Sequence, residues 1–191
     1  MVTQPEWTRG GLVFTRATLN AVEQDALRGY TKDEEACGYL TGPASEPRLC
    51  DTHVRLENIA NKLHAMDPQV YFRTARMFFA FNEAKFDRAV REGEKNGHPV
   101  KVIYHSHLDA GAYFSATDAA IMSLGEPPEV EGGPWKVGPG PAWPLAFLVT
   151  SVRNGTIDEH KLFVWNSDQK KFVESPFSVI DVPPINLTPQ S

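Results

Sequence analysis

Val100-Lys-Val-Ile-Tyr-His-Ser-His-Leu-Asp-Ala-Gly-Ala-Tyr-Phe-Ser-Ala-Thr-Asp118 is the stretch on which the reading of this chain turns. Its first part, Val100 to Tyr104, is largely β-branched and apolar and predicts a buried strand. Side chains two apart on a strand share a face, so His105 and His107 leave the strand end side by side. Ser115-Ala-Thr-Asp118 then spells a helix start. Ser115 is a good N-cap, and Asp118 in the first turn is aimed back toward the strand end. Strand, loop and capped helix thus bring two imidazoles and a carboxylate toward one point.

Two neutral imidazole nitrogens and one carboxylate form a common catalytic zinc set, because the fourth tetrahedral position stays open for water. Zinc so held lowers the pKa of bound water to about 7, which suits attack on an amide carbonyl at neutral pH. Each half of the pattern has a plainer explanation. Ser-x-x-Asp is a frequent helix cap, and paired histidines at a strand end are often ordinary hydrogen-bonded residues. Their conjunction at this spacing favours the metal site.

At these positions the chain resembles the JAMM (MPN-plus) zinc metalloproteases, whose motif is His-x-His, seven residues, then Ser-x-x-Asp. His105, His107, Ser115 and Asp118 meet every defining position. That family also requires an upstream glutamate, often in the setting Glu-x-Cys-Gly-x-Leu, and Glu35, Cys37, Gly38 and Leu40 stand in that pattern. The resemblance implies a cytidine-deaminase-like mixed β-sheet flanked by helices, an α/β fold in one domain. It also implies one Zn2+ per chain on His105, His107 and Asp118, with Glu35 as general acid/base and Ser115 as hydrogen-bond donor to the oxyanion. The family usually places proline after the second histidine, where this chain has Leu108. Proline is not a ligand there, so the departure bears on loop rigidity and not on the metal. The segment from Asp109 to Ser115 looks like the bacterial branch that trims or releases ubiquitin-like sulfur-carrier proteins.

Glu34 and Glu35 both stand at the head of the apolar run Ala36 to Leu40. Strand alternation puts Glu35 with Cys37 and Tyr39 on one face and Glu34 on the other, so only one of the two can face a metal. The family spacing picks Glu35. A carboxylate there suits proton transfer from a water to a leaving amine. A rival metal reading starts from His105, His107 and Asp109, the opening of the metallo-β-lactamase signature. That signature continues with histidine where this chain has Ala110, and only His160 follows Asp118. His53, His64, His98 and His160 have no ligand-spaced neighbours.

At 191 residues the chain is long enough for one domain with a real core, and 41% hydrophobic with 23% charged residues is ordinary for a globular protein. A net charge of −5 gives no electrostatic reason to expect nucleic acid or an anionic membrane as partner. No apolar run approaches the roughly 18 residues needed to span a bilayer, and the first residues lack the pattern of a signal peptide. The expected location is therefore the cytoplasm, with Cys37 and Cys50 as free, buried thiols that fall in neighbouring predicted strands.

The α/β order reads as strand Gly11 to Thr15, helix Ala17 to Tyr30, and a strand pair Glu35 to Thr41 and Leu49 to Leu56. A polar loop through Asp67-Pro68 precedes a second helix within Thr74 to Lys95, whose Phe78, Phe79, Phe81 and Phe86 are core residues. Asn96-Gly97 ends it. After the motif strand and a short helix from Ser115 to about Leu124 comes a Pro/Gly-rich insertion, 125–143. It is either a flap over the metal cleft, with Trp135 and Trp143 as candidates to bind a substrate tail, or a passive insertion. Leu145 to Val152 and Thr156 to Trp165 form a hairpin around Asn154-Gly155. Residues 1–175 are thus one domain, and 176–191, with four prolines, an extended or disordered tail.

The expected function is a zinc peptidase or isopeptidase acting after the C-terminal glycine of a ubiquitin-like or sulfur-carrier protein, bound by strand addition. The alternatives are a zinc hydrolase of small amides, served by the same ligands, and a non-catalytic scaffold of the same fold. Nothing in the composition excludes a homo-oligomer.

Overall fold

The computed structural model describes residues 4–130 and 132–181. At its centre lies β5, Val100–Leu108, buried along its whole length. It is longer than the apolar run predicts: Leu108 pairs with Val152, so the strand continues through the place where a proline would have removed a ladder N–H. His105 and His107 accordingly sit within the strand and not beyond its end.

Around β5 the chain builds a mixed α/β domain. The elements are β1 Leu12–Thr15, α1 Arg16–Thr31, β2 Cys37–Thr41, β3 Leu49–Cys50, β4 Thr52–Leu56, α2 Ala60–Met66 and α3 Glu83–Lys95 before β5. After it come α4 Ala116–Met122, β6 Ala146–Arg153, β7 Thr156–Asn166, β8 Lys171–Ser175 and β9 Phe177–Ile180. The main sheet has the order β4-β2-β5-β6-β7-β8 and a small one the order β3-β1-β9. Only β5 and β6 pair in parallel within the main sheet, joined by a crossover that contains α4. No described helix is long and apolar enough to cross a membrane.

Alternation along β5 divides the core in two. Val102 and Tyr104 pack with Leu19 and Val22 of α1 and with Leu12 and Phe14 of β1. Ile103 faces the opposite way, toward Phe79, Phe81, Phe86 of α3 and Met122 of α4. His105 and His107 share the Ile103 face. Cys37 belongs to this second cluster and Cys50 to the first, so the two buried, free thiols lie on opposite sides of the sheet.

Several elements depart from expectation. Leu49 to Leu56 is two strands, because the chain leaves one sheet at Asp51: β3 pairs in parallel with β1, and β4 antiparallel with β2. The second helix begins only at Glu83, where the Asn82 side chain accepts from the backbone N–H of Lys85. The preceding residues are irregular, and α2 occupies part of the expected polar loop. The domain boundary at 175 falls short. β9 pairs in parallel with β1, so the fold continues to Ile180, and residues 182–191 of the expected tail lie outside the described residues. The Asn154-Gly155 turn has positive φ at both positions, as a type I′ turn requires.

Two residues on the first face show how tightly the sheet is built. A Cβ on Gly38 would lie 2.3 Å from the Val54 carbonyl oxygen and 2.6 Å from the Tyr104 ring, which explains glycine beside Cys37. The fully buried Lys101 donates from Nζ to the carbonyls of Pro43 at 2.9 Å and of Glu46 and Leu49 at 2.8 Å. Replacing the ammonium by an apolar group strands three acceptors, so Lys101→Met should lower stability by about 3 kcal/mol or more, read from the urea midpoint. An unmoved midpoint would show that those carbonyls are satisfied without the lysine.

Candidate metal centre

β5 and α4 bring three donor groups together. His105 Nε2 lies 3.2 Å from His107 Nε2, and the Asp118 carboxylate Oδ2 lies 3.4 Å from the first and 3.6 Å from the second. All three residues are buried. Zinc with bonds of about 2.0–2.1 Å sets donor-to-donor edges of roughly 3.3–3.4 Å in a tetrahedron, and the three separations straddle that value. The donor set therefore fits a tetrahedral cation with one position left over.

Local structure fixes each group. His107 Nδ1 meets the Gly111 carbonyl at 2.8 Å, which makes Nδ1 the protonated nitrogen and leaves the Nε2 lone pair directed at the centre. The His105 ring stacks on Phe79 with centroids 4.4 Å apart, and its buried Nδ1 has no partner among the described residues. Asp118 is held by a capping box: Ser115 Oγ accepts from the Asp118 N–H at 3.1 Å, and Asp118 Oδ2 accepts from the Ser115 N–H at 2.9 Å. The cap and the candidate ligand set are one structure, so the helix cap does not compete with the metal reading.

Burial opposes the charge on Asp118, but His105 and then His107 beside it hold the carboxyl well below the usual carboxylate range. Burial lowers the pKa of His105, which favours the neutral imidazole a metal needs. Glu35 is also buried and lines one pocket with His107, Ser115 and Asp118. Burial, and next the charge of Asp118, push its pKa well above the ordinary value, and Arg73 pulls it partly back. Burial pushes the thiol of Cys37 up to about 12, which makes it a poor nucleophile.

Glu35 precedes β2 and is placed by contacts outside the strand ladder. Its N–H donates to the Ala75 carbonyl at 2.6 Å, and its carbonyl accepts from Asn58 Nδ2 at 3.0 Å. Asn58 also bonds the Phe78 carbonyl and the N–H groups of Ala60 and Ala80, tying the irregular segment that carries Phe79 to the Glu35 backbone. Glu34 is partly exposed and accepts from Asn61. Arg73, Arg76 and Met77 on that irregular segment, with Tyr113, complete the pocket. None of them has a spacing signal in the sequence. The insertion 125–143 is pinned at its base, where Gly138 donates to Ser123 Oγ at 2.8 Å and Ala142 to the Met122 carbonyl at 2.8 Å. Trp143 is engaged in packing: its Nε1 donates to Asp87 at 2.8 Å and its ring lies edge-on to Phe86. Trp135 lines a separate apolar cavity near Arg73.

Residues 17–161 match the family described as prokaryotic homologs of the JAB domain. No curated protein matches the chain. Among solved structures, a protein of Desulfitobacterium hafniense determined in solution is 17% identical with a TM-score of 0.59, covering 92% of this chain and 97% of that one. A Salinibacter ruber protein, also determined in solution, is 18% identical with a TM-score of 0.53, covering 91% and 94%. Both share the fold over nearly the whole chain. A JAB1/MPN domain protein from Archaeoglobus fulgidus is 12% identical with a TM-score of 0.47, covering 89% and 100%.

Proposed function

This chain belongs to the family of prokaryotic homologs of the JAB domain, and on that premise we propose that it is a zinc-dependent peptidase or isopeptidase. Its substrate is a ubiquitin-like or sulfur-carrier protein, cut after the C-terminal glycine. The observation that carries the reading is the meeting of His105, His107 and Asp118 at one point with the buried Glu35 carboxyl in the same pocket.

Zinc held by His105, His107 and Asp118 supplies a Lewis acid and a water-activating charge. This chain's own groups do the remaining work. Glu35, with its raised pKa, takes a proton from the attacking water and returns it to the leaving amine. Ser115 Oγ accepts from the Asp118 N–H, so its own proton is free to donate to the oxygen on which charge develops. Asp118 keeps its charge through the Ser115 N–H and the two imidazoles. Ser115→Ala should slow turnover roughly a hundredfold, as for loss of one oxyanion donor, with zinc content unchanged. A variant at the wild-type rate would reduce the serine to a helix cap.

The decisive test incubates zinc-loaded protein with ubiquitin-like fusions that carry an extension after the terminal glycine, and reads products by mass. A single cut after glycine supports the proposal. Cleavage of small acyl-aminocoumarin amides alone favours a small-amide hydrolase, and inertness toward both with one zinc bound favours a scaffold.

A further inference from the structure

Asp118 and Ile121 lie three apart on α4, one helical turn or about 5 Å along its axis. Ile121 and Ala120 line a second cavity of ≈ 200 Å³, together with Tyr71, Phe78 and Trp135. Arg73, the one charged residue among the described residues lining it, also lines the metal pocket, so the two cavities are neighbours that share its side chain as a wall. Its guanidinium carbon lies 5.7 Å from the centroid of the Trp135 ring. The segments that flank the two cavities expose many apolar side chains. Of nine exposed large hydrophobic residues among those described, eight fall in 66–77 and 113–137. Met66, Val70, Leu124 and Val130 are each more than 60% exposed. Exposed apolar side chains gathered in the segments that line a cavity favour a binding surface there.

We propose that this cavity is a side-chain subsite that selects an apolar residue on the acyl side of the cut bond, in an extended segment of the substrate protein. The inference rests on the peptidase reading above and adds a preference to it. An extended chain advances about 3.3 Å per residue, so two residues cover roughly 7 Å, which brings the second residue upstream of the attacked glycine over Ile121. A cavity of about 150 Å³ accommodates a benzene ring, so this one is large enough for a leucine or phenylalanine side chain. Its walls offer almost no polar partners, so a charged side chain would lose its water without replacement. Arg73, shared by both cavities, would donate to the backbone carbonyls of a segment that passes between the subsite and the candidate metal centre. Trp135 is therefore a specificity residue, and the insertion that carries it forms one wall of the subsite.

The test uses acetylated peptides ending in Xaa-Gly-Gly-aminocoumarin, with Xaa as Leu, Phe, Ala or Asp, on the zinc-loaded protein. Leu and Phe should exceed Ala and Asp in kcat/KM by at least about tenfold. Trp135→Ala should bring that ratio close to one, and Trp135→Phe should keep most of it. The same peptides with a fluorescent label in place of the aminocoumarin, binding to the Glu35→Gln protein, should follow the same order by anisotropy. Selective binding without any hydrolysis would leave the subsite standing and overturn the peptidase reading. Hydrolysis with no preference at Xaa, or a preference that survives Trp135→Ala in a protein with a native circular dichroism spectrum, would overturn the subsite.

Discussion

Glu35→Gln is expected to cut turnover of a ubiquitin-like fusion by about a thousandfold while zinc stays at one equivalent per chain. General acid–base catalysis contributes typically 10²–10⁴-fold, and the amide keeps the size of the side chain while removing the base. Glu35 lies in the metal pocket, and its backbone is held by Asn58 and Ala75, so the substitution should leave the pocket's shape intact. Stability should move the other way. The pKa of Glu35 is raised in the folded protein, so the native state retains a proton that the unfolded chain gives up. The stability that this residue contributes is full below its ordinary pKa and is lost as pH rises through the folded value. In zinc-free protein at neutral pH, Glu35→Gln should therefore melt at a higher temperature than the parent, and the two should converge well below the ordinary carboxylate pKa. A full-rate variant would mean that another group moves the proton. A zinc-free variant that melts lower at neutral pH would mean that the carboxylate is not desolvated.

The His107→Ala, Asp118→Ala double substitution should abolish stoichiometric zinc. Loss of a single outer partner of a metal ligand commonly weakens binding 10–100-fold, and here two of the three proposed direct ligands go. Metal analysis should fall from one equivalent to a trace, and added zinc should no longer raise the melting temperature. His160→Ala is the control, because His160 is occupied by Glu23 and Thr150 and should not affect zinc content. Full zinc retention in the double variant would place the metal elsewhere.

The meeting of His105, His107 and Asp118 was legible because each is placed by a short spacing. Two residues apart on a strand puts His105 and His107 on one face, and the three-residue span of a capping box aims Asp118 back at them. Glu35 was legible only in part. Alternation separates it from Glu34, but its place comes from hydrogen bonds to Ala75 and Asn58, which are distant in sequence. The same applies to Arg73, Arg76 and Phe79. They ride on a stretch whose apolar content resembles the front of a helix, and Asn82 caps the true helix later. Partner choice among strands was not legible either. β3 and β9 flank β1 through non-local parallel pairing, which a local two-residue period cannot specify.

Because both imidazoles belong to one strand, a metal held by them would also act as a gauge of sheet alignment. β5 is fixed on one side by β2, with Cys37 opposite His105, and on the other by β6, with His107 opposite Ser151. A slip of β5 by a single residue would send His105 and His107 together to the α1 side and leave Asp118 without either. Misaligned molecules could not hold the ion by two histidines at all. On the proposed reading, every zinc-loaded molecule in a preparation is a chain with β5 in register.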